Sequence, residues 1–410
     1  MMLMPCLKVS WPFNIIFFTS RSKYIHRKFR LLHAHFLHAF SVADLIYIMA
    51  DLGKAKKDDA KVGAMTDSGF LDTLPKTSKE VVQWAVKNKE VMGNADNSKS
   101  YLEDILARDQ KQASADATLE VFDDDFAYAD EDSEVVYGIG KNPDMKRITV
   151  VFRGSTTSAD WEHNCKCSSE ELEEGFMELL EGIPSVNAEL ASEFKDVRLH
   201  TGFSKYLFKN CGKNAEGVEC EKPKFHQIVD HVRRLLEENP DYELWFTGHS
   251  LGGALAVLAA SAAALLDDIK TTVKLVSFAA PQVGKENYVK IMDRLESTKA
   301  LIHIRVTNCD DLVPQLNGVI GYEHFGLHLN LYKNRHALSY DQGGMSRPWF
   351  WNALNRHSMT THNARLTLAK SDLEKYDIDT VCAKIREEKT RNIDESPSSF
   401  GIVCSYMSWK

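Results

Sequence analysis

Short apolar runs alternate with helical stretches through the middle of the chain. The strand-like runs lie at 243–247, 273–278 and 301–306. The helical stretches lie at 225–238, 251–266 and 285–297. Strands that alternate with helices form a mostly parallel sheet with helices on its faces, so this pattern predicts an α/β domain.

Two further apolar runs precede this part of the chain. Residues 135–137 and 148–152 are β-like, and Gly138, Gly140 and the Asn142-Pro143 pair between them favour a turn. The two runs therefore predict a β-hairpin.

An acidic segment, 168–196, keeps apolar residues at helical spacing. They are Leu172, Phe176, Leu179, Leu180 and Ile183. The pattern predicts a helix over this region. Its apolar stripe fits a lid that opens at a lipid surface and fits equally an ordinary surface helix packed on the domain.

The chain divides into three parts by composition. Residues 1–115 form an N-terminal extension, expected to be helical or partly disordered, with an amphipathic helix over 34–52. Residues 116–370 carry the α/β pattern. Residues 371–410 are charged and then Ser-rich, as expected of a loosely ordered tail.

Charge and cysteine content exclude several classes of function. The net charge of −8 argues against a nucleic-acid partner. The eight cysteines are scattered, and no CxxC or HxxxH spacing accompanies them as a zinc site would require. The spacing of Cys211 and Cys220 is compatible with a disulfide in an oxidising compartment, and one residue separates Cys165 from Cys167. No apolar run reaches the roughly 18 residues of a membrane-spanning helix. The longest, 251–266, is expected inside the core. A cytoplasmic or peripheral-membrane location is favoured over secretion.

The strand at 243–247 leads directly into a candidate nucleophile. The sequence there is Gly248-His249-Ser250-Leu251-Gly252, a G-x-S-x-G pattern followed by a helix of small residues. In such a turn the serine Oγ points out of the sheet, and the glycines leave room where a Cβ would strike a neighbouring strand or helix. The backbone amide of Leu251 is then a candidate oxyanion donor.

A serine nucleophile needs a histidine base and a carboxylate that orients the base, in the chain order Ser, acid, His. Asp310 and Asp311 follow the strand-like run at 301–306 and are both placed to act as the acid. Composition does not choose between them. Nor does it choose among the histidines downstream, which are 324, 328, 336, 357 and 362.

Several ordered blocks together resemble the fungal-type, or class 3, lipase family of α/β-hydrolases. The blocks are Val151 to Ser155, Asp160-Trp161, His200 to Phe203, Gly248 to Gly253, Phe278 to Gly284, Arg305 to Pro314 and His357 to Met359. They cover about residues 120–365. The resemblance implies the α/β-hydrolase fold, a mostly parallel sheet flanked by helices, here with a helical N-terminal extension.

The resemblance also selects site residues. It makes Asp311 the acid, with Asp310 as the substitute, because the family's acid directly precedes a residue–Val–Pro unit. It makes His357 the base, with His362 as the runner-up. It adds Ser155 as the first oxyanion donor beside Leu251.

The implied activity is hydrolysis of acylglycerol esters, such as triacylglycerol or diacylglycerol, through a Ser-His-Asp triad and an acyl-enzyme. No metal and no organic cofactor is implied, and the partner is a glycerolipid with peripheral contact to a lipid surface. The acidic 168–196 segment favours neutral glycerolipids. Phospholipase A1 or galactolipase activity is an alternative that the resemblance equally permits. A catalytically silent interaction module is an alternative of another class.

Overall fold

The computed structural model describes residues 118–122, 137–154, 173–194, 196–209, 222–315, 321–333, 336–339 and 356–373. The predicted helix over 34–52, the rest of the N-terminal extension and residues 374–410 of the C-terminal tail lie outside these residues, whereas 371–373 belong to the last described helix. Ser155 and the cysteines at 165, 167, 211 and 220 also lie outside the described residues. No described helix is long and apolar enough to cross a membrane.

Eight strands form one sheet in the spatial order β1-β2-β3-β6-β7-β8-β9-β10. Their bounds are β1 Thr118–Phe122, β2 Tyr137–Asn142, β3 Arg147–Phe152, β6 Glu243–His249, β7 Val273–Phe278, β8 Leu301–Asn308, β9 Leu327–Leu331 and β10 His336–Ser339. Strands β3, β6, β7, β8 and β9 pair in parallel, and β1, β2 and β10 pair antiparallel at the two edges. A second, two-stranded sheet pairs β4 (Glu173–Gly175) with β5 (Arg198–His200).

Seven α-helices accompany the strands among the described residues. They are α1 Phe176–Leu179, α2 Ala188–Phe194, α3 Thr201–Ser204, α4 Lys224–Glu238, α5 Leu251–Ala263, α6 Glu286–Ser297 and α7 Met359–Leu373, and a π-helical turn, Lys205–Lys209, follows α3. Helix α5 packs against β3, β6 and β7, whereas α7 packs against β8 and β9. This mostly parallel sheet flanked by helices is the α/β-hydrolase architecture expected from the sequence.

The periodicity located the central elements closely. The three predicted strands are β6, β7 and β8, and the three predicted helices are α4, α5 and α6. The predicted hairpin is β2 and β3, which pair antiparallel from Tyr137↔Phe152 to Asn142↔Arg147. Every residue of α5 is buried, so the apolar run at 251–266 lies in the core as predicted.

The single helix predicted across 168–196 is wrong in the part that the structure describes, where two separate helices, α1 and α2, follow a strand. Residues 173–175 form strand β4, and only Phe176–Leu179 continue as a helix at this point. The backbone N–H of Phe176 donates to Val197 O at 3.0 Å, so pairing with the β5 segment competes with helix formation. Gly182, with φ of +81°, then turns the chain out of the helical path.

The apolar spacing is nevertheless real, because Phe176, Leu179, Leu180 and Ile183 are all buried in the main core. The described part of this segment therefore packs its apolar residues on the domain, as an ordinary surface element does. Its other interpretation, a lid, stays a prediction for the residues before 173.

Strand β6 passes into helix α5 through a tight turn at Ser250, whose φ of 59° and ψ of −127° are strained for a residue with a side chain. Main-chain atoms of neighbouring elements lie very close to this turn. A Cβ on Gly248 would lie 2.2 Å from the carbonyl oxygen of Gly252, and a Cβ on Gly252 would lie 2.3 Å from the carbonyl oxygen of Phe152. The two glycines therefore allow α5 to start directly against the ends of β6 and β3.

We expect Gly252→Ala to destabilise the fold by about 3 kcal/mol, because its Cβ meets main-chain atoms that cannot rotate away. Gly253→Ala is the matched comparison, since its Cβ meets the Ala280 Cβ at 2.8 Å and main-chain oxygens only at 3.1 Å. Urea unfolding followed by tryptophan fluorescence measures both changes. Equal stability of the two variants would contradict the assignment of the backbone contact at Gly252.

Two histidines lie inside the sheet. His303 on β8 and His328 on β9 are only 1% and 8% exposed. Their Nε2 atoms hydrogen-bond Ser277 Oγ at 2.9 Å and Thr307 Oγ1 at 2.7 Å. Burial, and next the nearby Arg305 cation, hold the pKa of each imidazole well below its usual 6.5.

These histidines make stability fall on the acid side of neutrality. The unfolded chain binds protons on them near pH 6.5, whereas the folded chain does not, so stability is retained above that pH and lost as pH falls below it. Each contributes at most about 1.4 kcal/mol per pH unit. Urea midpoints at pH 7.5, 6.5 and 5.5 measure the slope, and His328→Gln should reduce it by one proton. An unchanged slope in that variant would contradict the expectation.

Candidate active site

The predicted nucleophile lies at the carboxyl end of the central strands. Ser250 directly follows β6, and its backbone N–H donates to Phe278 O at the end of β7 at 2.9 Å. The side chain is 1% exposed, and its Oγ has no hydrogen-bond partner among the described residues. A buried hydroxyl on a strained turn at the start of a helix is the arrangement that the G-x-S-x-G pattern predicted.

The predicted acid lies after the end of β8. Asp311 is 1% exposed, and its Oδ1 accepts a hydrogen bond from the backbone N–H of Val313 at 3.0 Å. Its Oδ2 accepts one from His357 Nδ1 at 2.8 Å. Of the histidines that the sequence left open, His357 is the one that the structure hydrogen-bonds to a carboxylate within the described residues.

His357 lies two residues before the first residue of α7 and is 7% exposed. The carbonyl oxygen of His357 hydrogen-bonds His249 Nε2 at 2.7 Å, and the two imidazole rings lie 4.5 Å apart. Because His249 is the neighbour of Ser250 in the chain, this contact brings the histidine beside the nucleophile turn. The structure thus gathers Ser250, Asp311 and His357 at one edge of the sheet.

Burial controls the charges of the acid–base pair. It lowers the pKa of His357 to about 3 and raises the pKa of Asp311 to about 7. The imidazole is therefore neutral at neutral pH. With Nδ1–H directed at Asp311, the basic lone pair belongs to Nε2, the nitrogen that a general base uses in a serine hydrolase.

Asp310, the substitute acid, has a different set of partners. Its carboxylate accepts hydrogen bonds from Arg365 Nη1 at 2.8 Å and Nη2 at 3.2 Å, and from Arg356 Nη1. The side chain of Asp310 is 30% exposed. The carboxylate of Asp310, which composition could not distinguish from that of Asp311, is thus hydrogen-bonded to two guanidinium groups.

The remaining candidate histidines serve other contacts. His362, the runner-up base, is fully buried, and its Nδ1 accepts a hydrogen bond from Asn308 Nδ2 at 3.0 Å. His324 Nε2 hydrogen-bonds Pro314 O at 2.6 Å, and His328 is held by Thr307 within the sheet. His336 lies on edge strand β10.

The predicted oxyanion donors have different outcomes. Leu251 is the first residue of α5, so its amide belongs to a helix N-terminus, where backbone N–H groups favour negative charge. Ser155 lies outside the described residues. The chain that leads to it does abut the turn, since a Cβ on Gly252 would meet the carbonyl groups of Phe152 and Arg153.

Sequence reasoning missed two contributors to the site, His249 and Asn308. His249 lies inside the G-x-S-x-G pattern, and Asn308 lies inside the block that contains Asp311. Asn308 Nδ2 donates to the carbonyl oxygen of Arg356 at 2.6 Å. Both side chains contact main-chain carbonyls of the His357 segment, and such contacts leave no spacing pattern in a sequence. Among the described residues, no group of three or more His, Cys, Asp or Glu side chains is arranged to hold a metal ion.

Comparison with known proteins finds similarity to lipases. Residues 149–320 match the family described as Lipase (class 3), a range that includes Ser250 and Asp311 and ends before His357. A triacylglycerol lipase OBL1 of Nicotiana tabacum is 28% identical over 35% of this chain and 27% of its own length. The phospholipase A(1) DAD1 of Arabidopsis thaliana is 29% identical over 46% of this chain and 37% of its own length.

A third relative, the galactolipase DONGLE of Arabidopsis thaliana, is 28% identical over 43% of this chain and 35% of its own length. The chain therefore matches less than two fifths of each of these relatives. Among solved structures, the Lip2 lipase of Yarrowia lipolytica is 17% identical with a TM-score of 0.43, covering 63% of this chain and 82% of that chain. Residues 149–320, a range that contains Ser250 and Asp311, are therefore similar to the class 3 lipase family.

Proposed function

We propose that this chain hydrolyses carboxylic esters of glycerolipids, with Ser250 as nucleophile, His357 as base and Asp311 as the orienting acid. The observation that carries the proposal is the 2.8 Å hydrogen bond between His357 Nδ1 and buried Asp311, in a segment that contacts the neighbour of Ser250. The similarity of residues 149–320 to class 3 lipases supports ester hydrolysis. Acylglycerols are the proposed substrate class.

The reaction begins with acylation. Ser250 Oγ transfers its proton to His357 Nε2 and forms a bond with the ester carbonyl carbon. The carbonyl oxygen becomes an oxyanion, which the backbone N–H of Leu251 and the hydroxyl and amide of Ser155 stabilise. The C–O bond to the alcohol then breaks, and the imidazolium gives its proton to the leaving alkoxide, which leaves an acyl-enzyme on Ser250.

Deacylation repeats these steps with water. His357 Nε2 takes a proton from water as the hydroxide oxygen attacks the acyl carbon, and the second oxyanion collapses to break the bond to Ser250 Oγ. The imidazolium returns its proton to Ser250. Asp311 stabilises the imidazolium in both halves of the cycle, and its burial strengthens that interaction because water does not screen it.

The head group of the lipid is the open part of the proposal. The relatives named phospholipase A(1) and galactolipase favour these activities as a second candidate, since they match this chain as well as the triacylglycerol lipase does. A single panel of substrates distinguishes these candidate activities. It contains emulsified triacylglycerol, phosphatidylcholine vesicles, a galactolipid dispersion and a p-nitrophenyl ester, and the ratio of the four rates ranks the candidates.

We expect Ser250→Ala to lower kcat on every hydrolysed substrate by about 10⁴-fold or more, because no other group accepts the acyl chain. Ser192→Ala is the matched control, since Ser192 is exposed and its hydroxyl bonds only Glu189 O among the described contacts. Fluorophosphonate labelling reads the nucleophile directly. Labelling should occur in the wild type and the control and be absent from Ser250→Ala. A folded wild type that neither labels nor hydrolyses any ester would instead favour an interaction module.

We expect His357→Ala to be nearly as severe as Ser250→Ala, with a loss of roughly 10⁴-fold in kcat, because the serine loses its base. His362→Asn keeps a polar group at a buried position that does not contact the carboxylate of Asp311, so its kcat should stay within about tenfold of wild type. The p-nitrophenyl ester assay compares the two. If the 362 variant alone is inactive while both proteins fold, the base is His362.

A further inference from the structure

The two consecutive aspartates after β8 hold the same segment in different ways. Asp311 bonds the imidazole of His357. Asp310 bonds Arg356, which directly precedes His357, and Arg365, which lies on α7 after it. The loop that carries Asp310 and Asp311 therefore contacts the imidazole ring of His357 and also the chain on both sides of His357.

The side chain of Arg365 forms a well-defined set of hydrogen bonds. Its guanidinium forms two parallel hydrogen bonds to the carboxylate of Asp310, and its Nη1 also donates to the carbonyl oxygen of Leu331 at 3.1 Å. The Arg365 side chain is 8% exposed. Bidentate arginine–carboxylate pairs are geometrically specific, and partial burial limits screening by solvent. This pair thus fixes α7 to the ends of β8 and β9.

Two further contacts converge on the same main chain. Asn308 Nδ2 donates to Arg356 O at 2.6 Å, and His249 Nε2 donates to His357 O at 2.7 Å. Asn308 is the last residue of β8, shortly before Asp311, and His249 directly precedes Ser250. The main chain that carries the base is therefore docked to both other parts of the proposed triad.

We propose that Asp310, through Arg356 and Arg365, is a positioning residue for His357. The proposal rests on the function proposed above. A hydrogen bond from Asp311 fixes the rotation of the imidazole ring, but it does not fix the main chain on which the ring is carried. Proton transfer from Ser250 requires Nε2 to be held within about 0.5 Å of its productive position. The Asp310 ion pairs supply that constraint, because they fix the chain immediately before and two turns after His357.

A matched ion pair elsewhere in the fold provides the control. Arg233 on α4 donates from Nε to Asp268 at 2.6 Å and from Nη2 to the carbonyl oxygen of Pro184 at 3.0 Å. Like Arg365, it joins a carboxylate to a main-chain carbonyl, and its side chain is 19% exposed. It has no contact with the base segment in the described contacts, so Asp268→Asn removes a similar ion pair without affecting His357.

The experiment measures fluorophosphonate labelling and p-nitrophenyl ester hydrolysis by the full chain, as wild type, Asp310→Asn and Asp268→Asn. The labelling endpoint gives the fraction of folded, competent sites, and the labelling rate constant gives the reactivity of each site. We expect Asp310→Asn to lower the rate constant and kcat by about tenfold or more, because small misplacements of a catalytic group are costly. KM should change by less than about twofold. Asp268→Asn should match the wild type in both rates.

The outcomes are distinct. A lower endpoint in Asp310→Asn with an unchanged rate constant would mean that the pair only stabilises the fold, and the proposal would be overturned. If Asp310→Asn does not fold, Arg365→Lys takes its place, since lysine keeps the charge but cannot form the bidentate pair. A rate constant equal to wild type in that variant would also overturn the proposal. Failure of the wild type to label or hydrolyse any ester would refute the proposed function itself.

Discussion

The close backbone approach at Ser250 is the constraint on which the rest of the site depends. Gly248 and Gly252 have no Cβ, so the start of α5 lies against the ends of β6 and β3. That contact holds Ser250 in a strained conformation and places its Oγ at the carboxyl edge of the sheet. It also brings the Phe152–Gly154 segment, which leads to Ser155, beside the same turn. The positions of the proposed nucleophile and of Leu251, a proposed oxyanion donor, therefore follow from one steric requirement at the glycines.

Burial supplies the electrostatics of the site, and it does so at the cost of stability in acid. The same desolvation that keeps His357 neutral acts on His303 and His328, which have no part in the proposed reaction. A protein that places several imidazoles in a dry interior gains bases with available lone pairs. It also contains groups that take up protons only when the chain unfolds. The proposed reactivity near neutral pH and the expected sensitivity to acid thus have a common physical origin.

The sequence was sufficient for the elements whose pattern is set locally. Strands β6 to β8 and helices α4 to α6 follow from periodicity, whereas β9 and β10 were not predicted, although Leu327, Leu329 and Leu331 of β9 alternate with polar residues. The helix expected over 168–196 gave way to strand β4 at Glu173–Gly175, before Phe176, because a distant segment, β5, offered backbone partners. At the site, the G-x-S-x-G pattern located Ser250. The choice of Asp311 over Asp310 required the resemblance and then the geometry, since consecutive residues after a strand differ only in the direction of their side chains.

That difference in direction has a chemical consequence under the proposed mechanism. If Arg356 and Arg365 bonded Asp311, two permanent cations would already satisfy its carboxylate, and it would stabilise the transient imidazolium of His357 less. The structure instead directs both guanidinium groups to Asp310, which is partly exposed, and reserves the buried carboxylate for the imidazole. Asp310 and its two arginines thereby fix the main chain, whereas Asp311 stabilises the imidazole when it takes up a proton. In the proposed cycle, the carboxylate of Asp311 must stabilise an imidazolium that forms and disappears at each turnover. It can do so because the neighbouring Asp310 forms the permanent ion pairs with the two arginines.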